Sequence, residues 1–333
     1  MRPDRRVSFV PGRSGMAIEV HTGRRKVAFE TRGNVSFLRP SPNGDLNFEV
    51  RNWNERRRVR FRSRERDWSV RPGRAPDLER RFEFEAERTG CARFPTLVHQ
   101  RRLRNPLKTD RPKLVIHFHG GPESIEFGEK RYGDVFSRLV SRGHCYASWN
   151  YPGSIGFGEE WTTLPRKDWE RSILTEWAAV ERALRRRYSI PMEDWVFVGT
   201  SFGAMVALLI ARTRPQIGKV VLISPLLSVR HQVERVRLAD PSQLVWFKQR
   251  FGKTDFDRLD FSFALADVKG AISIIASGRD EVLGTEVVKA ATRSARLQGK
   301  SIDLYVQKGC AHSPKSRAAR RKREWLLKTA ILI

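Results

Sequence analysis

The feature that most constrains the fold of this chain is a serine between an apolar strand pattern and a small-residue helix pattern. Trp195–Val198 is a run typical of a buried β-strand, and residues 201–211, rich in alanine and leucine, favour a helix. Gly199 and Gly203 stand two positions either side of Ser201, so strand and helix can approach closely. This Gly-x-Ser-x-Gly arrangement predicts a strained strand–turn–helix connection that presents the serine hydroxyl as a nucleophile.

A serine hydroxyl reacts poorly at neutral pH, so a base should follow it in the chain. Only two histidines lie downstream of Ser201. His231 lies in a charged helical segment, where we expect a solvated side chain. His312 lies in a loop just after the last predicted strand, Ile302–Val306. We therefore predict His312 as the catalytic base.

An acid that orients the base is expected on the loop after the preceding predicted strand, Ile272–Ala276. Asp280 and Glu281 both follow that strand. Either carboxylate could hold the imidazole of His312 in the required tautomer and stabilise its charged form. The residues alone leave both candidates open.

The oxyanion of an acyl-transfer reaction is stabilised by backbone amides. One predicted donor is the amide of Phe202, directly after the nucleophile, and the others are Gly120 and Gly121, which follow the predicted strand Leu114–Phe118.

A pair of histidines, His117 and His119, could instead bind a metal ion. No third histidine or carboxylate cluster has the spacing of a zinc site, so the sequence predicts neither a metal nor a cofactor.

From about Phe94 onward, strand and helix patterns alternate. Apolar residues that share one helical face follow Asp168, namely Trp169, Ile173, Trp177, Val180 and Leu184. Val220–Ile223 is a further strand pattern, and helices are predicted near 241–251 and 285–298. The alternation predicts an α/β fold with a mostly parallel sheet covered on both faces.

With these motifs placed, the chain from about Phe94 to Leu327 resembles the catalytic domain of the prolyl oligopeptidase family, and most closely its acylaminoacyl-peptidase branch. Five motifs carry the resemblance in the family's order: His119–Pro122, Asn150–Gly158, Gly199–Ala204, Asp280 with Leu283 and Gly284, and Gly309 with His312. The resemblance implies an α/β-hydrolase fold, in which a mostly parallel twisted sheet carries helices on both faces. It also implies a catalytic triad of Ser201, Asp280 and His312, and so favours Asp280 over Glu281.

Three positions depart from the family pattern. Pro152 stands where the family has arginine, and Gly284 stands where it has proline after the acid. The glycine that the family has three residues before its acid lies here only two before Asp280, which keeps Glu281 as an alternative. These changes leave the three triad residue types in order and leave the substrate preference open.

The N-terminal part, residues 1–93, is predicted to be a β-rich module, with residues 94–333 as the catalytic domain. Strand patterns occur at Lys26–Glu30 and Leu46–Val50, and Phe37–Leu46 resembles a hairpin of one propeller blade. Family members carry a β-propeller of several hundred residues, whereas a blade needs about 40–45 residues. At most two blades fit here and cannot close a ring, so we expect a more open active site.

The charge of the chain is strongly positive, at +27, and residues 1–113 carry 29 Lys and Arg against 14 Asp and Glu. Such a field attracts polyanions, and nucleic acid is a partner hypothesis that we rank below a solvated basic surface.

Three cysteines without paired spacing are typical of a reducing compartment. No apolar run is long enough to cross a bilayer, so we expect a cytoplasmic protein without membrane contact. The sequence leaves the oligomeric state open.

The leading functional hypothesis is hydrolysis of a peptide, acyl-peptide or ester bond through an acyl-enzyme on Ser201. One alternative, suggested by Pro152 and the shortened acid loop, is a catalytically altered module that binds or isomerises a peptide. Another is an esterase that acts on small acyl substrates.

Overall fold

The structure is a computed structural model, and it describes residues 5–11, 16–22, 25–31, 34–38, 41–51, 56–62, 64–72, 82–102, 109–126, 132, 135–239, 242–251 and 255–332. Its strands are β1 Arg5–Pro11, β2 Met16–Thr22, β3 Arg25–Thr31, β4 Asn34–Phe37, β5 Leu46–Arg51, β6 Arg56–Arg62, β7 Asp67–Pro72, β8 Phe82–Glu87, β9 Leu97–Arg102, β10 Leu114–Phe118, β11 Cys145–Trp149, β12 Trp195–Thr200, β13 Lys219–Ile223, β14 Ala271–Ser277 and β15 Ile302–Gln307. Its α-helices are α1 Val135–Ser141, α2 Glu159–Thr163, α3 Trp169–Arg187, α4 Phe202–Thr213, α5 Val229–Ala239, α6 Ser242–Phe251, α7 Ala264–Asp267, α8 Thr285–Leu297 and α9 Arg317–Leu332.

The largest sheet has eight strands in the order β15-β14-β13-β12-β10-β11-β9-β8. Strands β10 to β15 pair in parallel, and β9 and β8 add an antiparallel edge. All five residues of β10 are buried, which is why it reads as an unbroken apolar run apart from His117. This arrangement is the predicted α/β-hydrolase fold, and the strands and helices predicted from Leu114 onward are confirmed.

Both faces of this sheet are covered. Alternate residues of β10 point to opposite sides, so Leu114, Ile116 and Phe118 pack against one core and Val115 against the other. The first core includes the five apolar side chains of α3 that the helical spacing predicted, and each of them is buried. Asp168 caps α3 by accepting a hydrogen bond from the backbone N–H of Arg171 at 3.0 Å. The second core packs the sheet against α1 and α9.

The order of strands changes direction at β10. The chain runs from β10 to β11 on one side and then returns to β12 on the other. Such a switch point opens a crevice at the carboxyl ends of the two strands, where ligands of open α/β sheets bind. The loop after β10 holds Gly120 and Gly121, and the turn after β12 holds Ser201. The topology therefore brings these two sequence motifs to the same crevice.

The N-terminal strands form two small antiparallel sheets, β1-β2-β3 and β4-β5-β6-β7. They share a hydrophobic core that includes Ile18, Phe48 and Phe61. In β6, Val59 and Phe61 are buried while the neighbouring Arg58 and Arg60 are exposed, as the alternation predicts. The β-rich character is confirmed, and β4 and β5 form the expected hairpin, of which residues 39 and 40 lie outside the described part.

Strand β8 pairs with β9 in the large sheet, although it precedes residue 94. We therefore propose that the boundary between the N-terminal module and the catalytic domain lies between β7 and β8.

Among the described helices, none is long and apolar enough to cross a membrane. All three cysteines, Cys91, Cys145 and Cys310, are free thiols.

Candidate active site

The turn between β12 and α4 holds Ser201 in a backbone conformation that residues other than glycine seldom adopt. Its φ is 51° and its ψ is −116°. Its N–H donates to the carbonyl of Ile223 at 2.9 Å, and its carbonyl accepts from the N–H of Leu226 at 3.0 Å. A residue in such a conformation costs about 1–3 kcal/mol and persists only where its surroundings hold it. The two hydrogen bonds supply that support and leave the side chain partly exposed.

Both glycines of the Gly-x-Ser-x-Gly motif are required by close packing. A Cβ on Gly199 would lie 2.6 Å from the Cα of Ala204, and a Cβ on Gly203 would overlap the carbonyl oxygens of Phe118 and His119. The helix therefore packs directly on its own strand and on the end of β10.

We expect Gly203→Ala to destabilise the protein by about 2 kcal/mol or more, because the new methyl group meets backbone atoms that cannot move aside cheaply. Helix propensity alone would favour alanine by about 1 kcal/mol. Urea unfolding should show the loss, with Gly299→Ala as a control. A Cβ at Gly299 meets no atom within 4 Å, so that variant should lose only about 1 kcal/mol, from its left-handed backbone with φ 81°. Equal losses in the two variants would contradict the packing argument.

The loop after β10 lies against the nucleophile. A Cβ on Gly120 would stand 3.3 Å from the Cβ of Ser201 and 3.9 Å from its Oγ. Gly121 has a φ of 136°, a region that favours glycine. Phe202 begins α4 directly after Ser201, and its ring is buried between Tyr151 and Phe251. The structure thus brings Gly120 and Phe202 next to Ser201, and Gly121 follows Gly120 in the same loop.

The Asn150–Gly158 segment supports this loop from behind. His119 Nδ1 donates to the carbonyl of Gly120 at 2.7 Å, and its Nε2 is hydrogen-bonded to Ser154 Oγ at 2.8 Å. The hydroxyl of Tyr151 donates to the carbonyl of His119 at 2.7 Å, and the two rings stack. Pro152, which stands at the family's arginine position, is buried.

The base and acid candidates meet on loops after β15 and β14. His312 Nδ1 lies 2.8 Å from Oδ2 and 3.0 Å from Oδ1 of Asp280. Glu281 contacts the same histidine at its backbone, because its Oε2 accepts from the His312 N–H at 2.9 Å. The side chain of Asp280 is 4% exposed and that of His312 is 18% exposed. The imidazole therefore pairs with Asp280 and stays accessible.

Hydrogen bonds keep the Asp280 carboxyl ionised despite its burial. Burial acts to raise its pKa, but the hydrogen bonds from His312 and from the backbone N–H of Leu283 and Val282 outweigh it, so the pKa falls below its ordinary value. The hydrogen bond from the His312 backbone likewise lowers the pKa of the exposed Glu281 carboxyl. A negative charge therefore faces the imidazole at neutral pH.

A buried arginine, Arg323, anchors the histidine loop, and the sequence interpretation missed it. Its guanidinium donates to the carbonyl of His312 at 2.9 Å, to Ser277 Oγ at 2.6 Å and to Gln307 Oε1 at 3.2 Å. Residues 315–324 are dense in lysine and arginine, and in the structure Arg317–Leu332 form α9. The signal was present: Arg323 lies three, four and seven residues before the buried Leu326, Leu327 and Ala330.

The two histidines of the metal hypothesis have separate partners. His117 lies near Thr200 Oγ1 and Glu126 Oε2, whereas His119 contacts Ser154. Within the described part of the chain, no three His, Cys, Asp or Glu side chains are grouped so that they could hold a metal ion. His231 is exposed on α5, as expected for a solvated side chain.

The side chains of Ser201 and His312 are not joined by a hydrogen bond in this structure. Hydrogen bonds between nucleophile and base are often long before substrate binds. Both groups lie at the same edge of the sheet, since His312 and Thr200, the residue before Ser201, line one cavity.

This protein has the α/β-hydrolase fold. Its eight-stranded sheet is mostly parallel, a serine lies on the strand–helix turn after β12, and an Asp–His pair lies on the loops after β14 and β15. The family model for the prolyl oligopeptidase family matches residues 132–330, which is more than half of the chain. The chain belongs to the prolyl oligopeptidase family.

One similar protein of known sequence is dipeptidyl aminopeptidase BIII of Pseudoxanthomonas mexicana, which is 30% identical over 119 residues. That match covers 34% of this chain and 16% of the relative, so the chain spans only a small part of its length. The sequence therefore shows the family, while the activity of the whole relative is not carried over by it.

Two solved structures resemble the fold over nearly the whole chain. A puromycin-hydrolyzing peptidase of Mycobacterium tuberculosis superposes with a TM-score of 0.74 at 11% identity, covering 96% of this chain and 58% of that one. The acylaminoacyl peptidase of Pyrococcus horikoshii superposes with a TM-score of 0.67 at 12% identity, covering 99% and 69%. At sequence identities of 11% and 12%, these two similarities show a shared fold and do not show a shared activity.

Proposed function

We propose that this protein is a serine hydrolase that cleaves a peptide or acyl-peptide bond through an acyl-enzyme on Ser201. The observation that carries the proposal is the Asp280–His312 pair, in which a buried carboxylate holds an accessible imidazole at the edge of the sheet where Ser201 is partly exposed. The same three residue types in this chain order form the triad of α/β-hydrolases.

The proposed reaction has two halves. His312 takes the proton of the Ser201 hydroxyl as its oxygen attacks the carbonyl carbon, and it then gives that proton to the leaving amine. Water attacks the resulting ester with His312 again as the base, which releases the acid and restores the serine. Asp280 accepts from Nδ1 throughout and so keeps the other ring nitrogen free for these transfers.

Backbone amides stabilise the negative charge that develops on the carbonyl oxygen. The amide of Phe202 heads α4, whose N-terminus adds partial positive charge. The loop of Gly120 and Gly121 lies against Ser201 and would supply the second donor. Removing one such donor typically costs 100- to 1,000-fold in rate.

The names of the similar proteins favour an amide bond as the bond that this protein cleaves. The similar proteins are by name a dipeptidyl aminopeptidase, a puromycin-hydrolyzing peptidase and an acylaminoacyl peptidase. We therefore propose that flexible peptides and small acyl compounds are its substrates. The three free thiols support a reducing, cytoplasmic environment.

The nucleophile can be identified without any substrate. The folded protein is treated with a fluorophosphonate, digested and analysed by mass spectrometry, with heat-unfolded protein as the control. We expect one phosphonylated peptide, modified at Ser201, in the folded sample only. No adduct, or modification of a different serine, would contradict the proposal, and an intact fold without any adduct would favour a binding or isomerising module.

A further inference from the structure

A cavity of about 710 Å³ lies beside His312. His312 and Thr200, the residue before Ser201, are among its lining residues, so the cavity lies next to the candidate nucleophile and base. The first turns of α9 form another wall and bring four arginines to it: Arg317, Arg320, Arg321 and Arg323. Among the residues that the structure describes, Glu324 is the one acidic residue in the lining. A volume of this size matches a small-molecule or short-peptide site.

No carboxylate among the described residues pairs with the arginines of this wall. Arg317, Arg320 and Arg321 are exposed, and none of them forms an ion pair with a carboxylate in the described part of the chain. Arg323 is 4% exposed, and its donors reach neutral acceptors. Like charges three and four residues apart weaken a helix. The mutual repulsion of these arginines therefore destabilises α9, and an anion bound in the cavity would offset that repulsion.

The position of the cavity says which part of a substrate would enter it. In acyl transfer by a serine–histidine pair, the histidine gives its proton to the leaving group, so the leaving group lies on the side of the histidine. The N-terminus of α9, at Arg317, adds partial positive charge to the same space. Arginine binds carboxylates with two parallel hydrogen bonds, which makes these side chains suited to an acidic leaving group.

We infer that this cavity receives the leaving part of the substrate and selects for carboxylates in it. The carboxylate is an acidic side chain within the first two residues after the scissile bond, or the free C-terminus of a short leaving peptide. The inference rests on the proposed function, because it takes Ser201 and His312 as the reacting pair.

The selectivity can be measured with peptides that share one acyl part and differ in their leaving dipeptide: Glu-Ala, Ala-Ala or Lys-Ala, each as a free acid and as an amide. We expect kcat/KM for Glu-Ala to exceed that for Lys-Ala by about 10- to 100-fold. A preference for Glu-Ala over Lys-Ala that survives in the amides assigns the side chain. Free acids that are all cleaved faster than their amides, whatever the side chain, assign the C-terminus. Rates within twofold across both series would overturn the inference.

A charge-matched pair of variants tests the arginines. Substituting Gln for Arg317, Arg320 and Arg321 together should reduce the preference for Glu-Ala to less than about threefold. The control replaces three exposed arginines elsewhere, Arg171, Arg182 and Arg293, and should keep the preference. The preference should also weaken from about 0.02 to about 0.5 M salt. Equal losses in both variants would reduce the effect to net charge and contradict a specific site.

Binding without turnover separates this inference from the proposed function. The Ser201→Ala protein should bind the dipeptide Glu-Glu and not Lys-Lys in a calorimetric titration. If peptides are hydrolysed without any charge preference, the inference fails and the proposed function stands. If nothing is hydrolysed and no serine is labelled, both fail. Displacement of Glu-Glu by single-stranded DNA at lower concentration would assign the arginines to nucleic acid instead.

Discussion

Replacing Ser201 with alanine is expected to lower kcat on the best substrate by on the order of 10⁶-fold, with KM changed little. The serine oxygen forms the covalent bond of the proposed acyl-enzyme, and no other described side chain holds its place on the turn after β12. Oxyanion donors and substrate binding remain, so a residual rate above that in water should persist. Steady-state kinetics on wild type and variant measure the effect.

A matched control for this substitution is Ser273→Ala. Ser273 is a fully buried serine in the middle of β14, and its hydroxyl donates to Asp303 at 3.2 Å. Losing that hydrogen bond should cost stability of about 0.5–1.5 kcal/mol and leave kcat unchanged. A Ser201→Ala variant that keeps more than a tenth of the wild-type kcat would remove this serine as the nucleophile.

Replacing Asp280 with asparagine is expected to lower kcat by about 10⁴-fold, the loss seen when a triad acid is made neutral and the histidine adopts the wrong tautomer. Asparagine keeps an oxygen for the backbone N–H groups of Val282 and Leu283, so the loop should stay folded. Glu281→Gln is the control. It retains the acceptor for the His312 N–H, and we expect kcat within about threefold of wild type.

The Asp280→Asn substitution should also change how the free energy of unfolding depends on pH. A carboxyl whose pKa is lowered by folding stabilises the folded state above its unfolded pKa, and that contribution is lost as pH falls through the folded pKa. Below about pH 4, wild type should therefore lose stability more steeply than Asp280→Asn. A larger kinetic loss in Glu281→Gln than in Asp280→Asn would reverse the assignment of the acid.

The parts of the fold that could be predicted from sequence are those with strong local patterns. Buried strands such as β10 and β12 read as apolar runs, and α3 shows a helical stripe of large side chains. The edge strands β8 and β9 escaped prediction. Strand β8 alternates acidic with apolar residues, and β9 has only two apolar residues, at its start, before polar and basic ones. Their place in the sheet depends on pairing with β11, which is a tertiary effect.

The candidate site was predictable in its residue types and less so in its pairing. Motif and chain order pointed to Ser201 and His312, but Asp280 and Glu281 are neighbours, and one residue of loop path decides which carboxylate meets the imidazole. In the structure Asp280 Oδ1 also accepts from two backbone N–H groups of its own loop, which turns its carboxylate inward. Such a local hydrogen-bond choice leaves no periodic trace in a sequence.

The hydrogen bonds of Arg323 couple the loop of His312 to α9. The arginine is one residue of the α9 face that packs on the sheet, and the same residue holds the carbonyl of His312. If α9 detaches by local unfolding, the imidazole loses its anchor while the central strands stay paired. The stability of the candidate site against local unfolding is then set by the packing of α9 on the sheet. This helix can detach at a lower free energy than is needed to unfold the sheet beneath it.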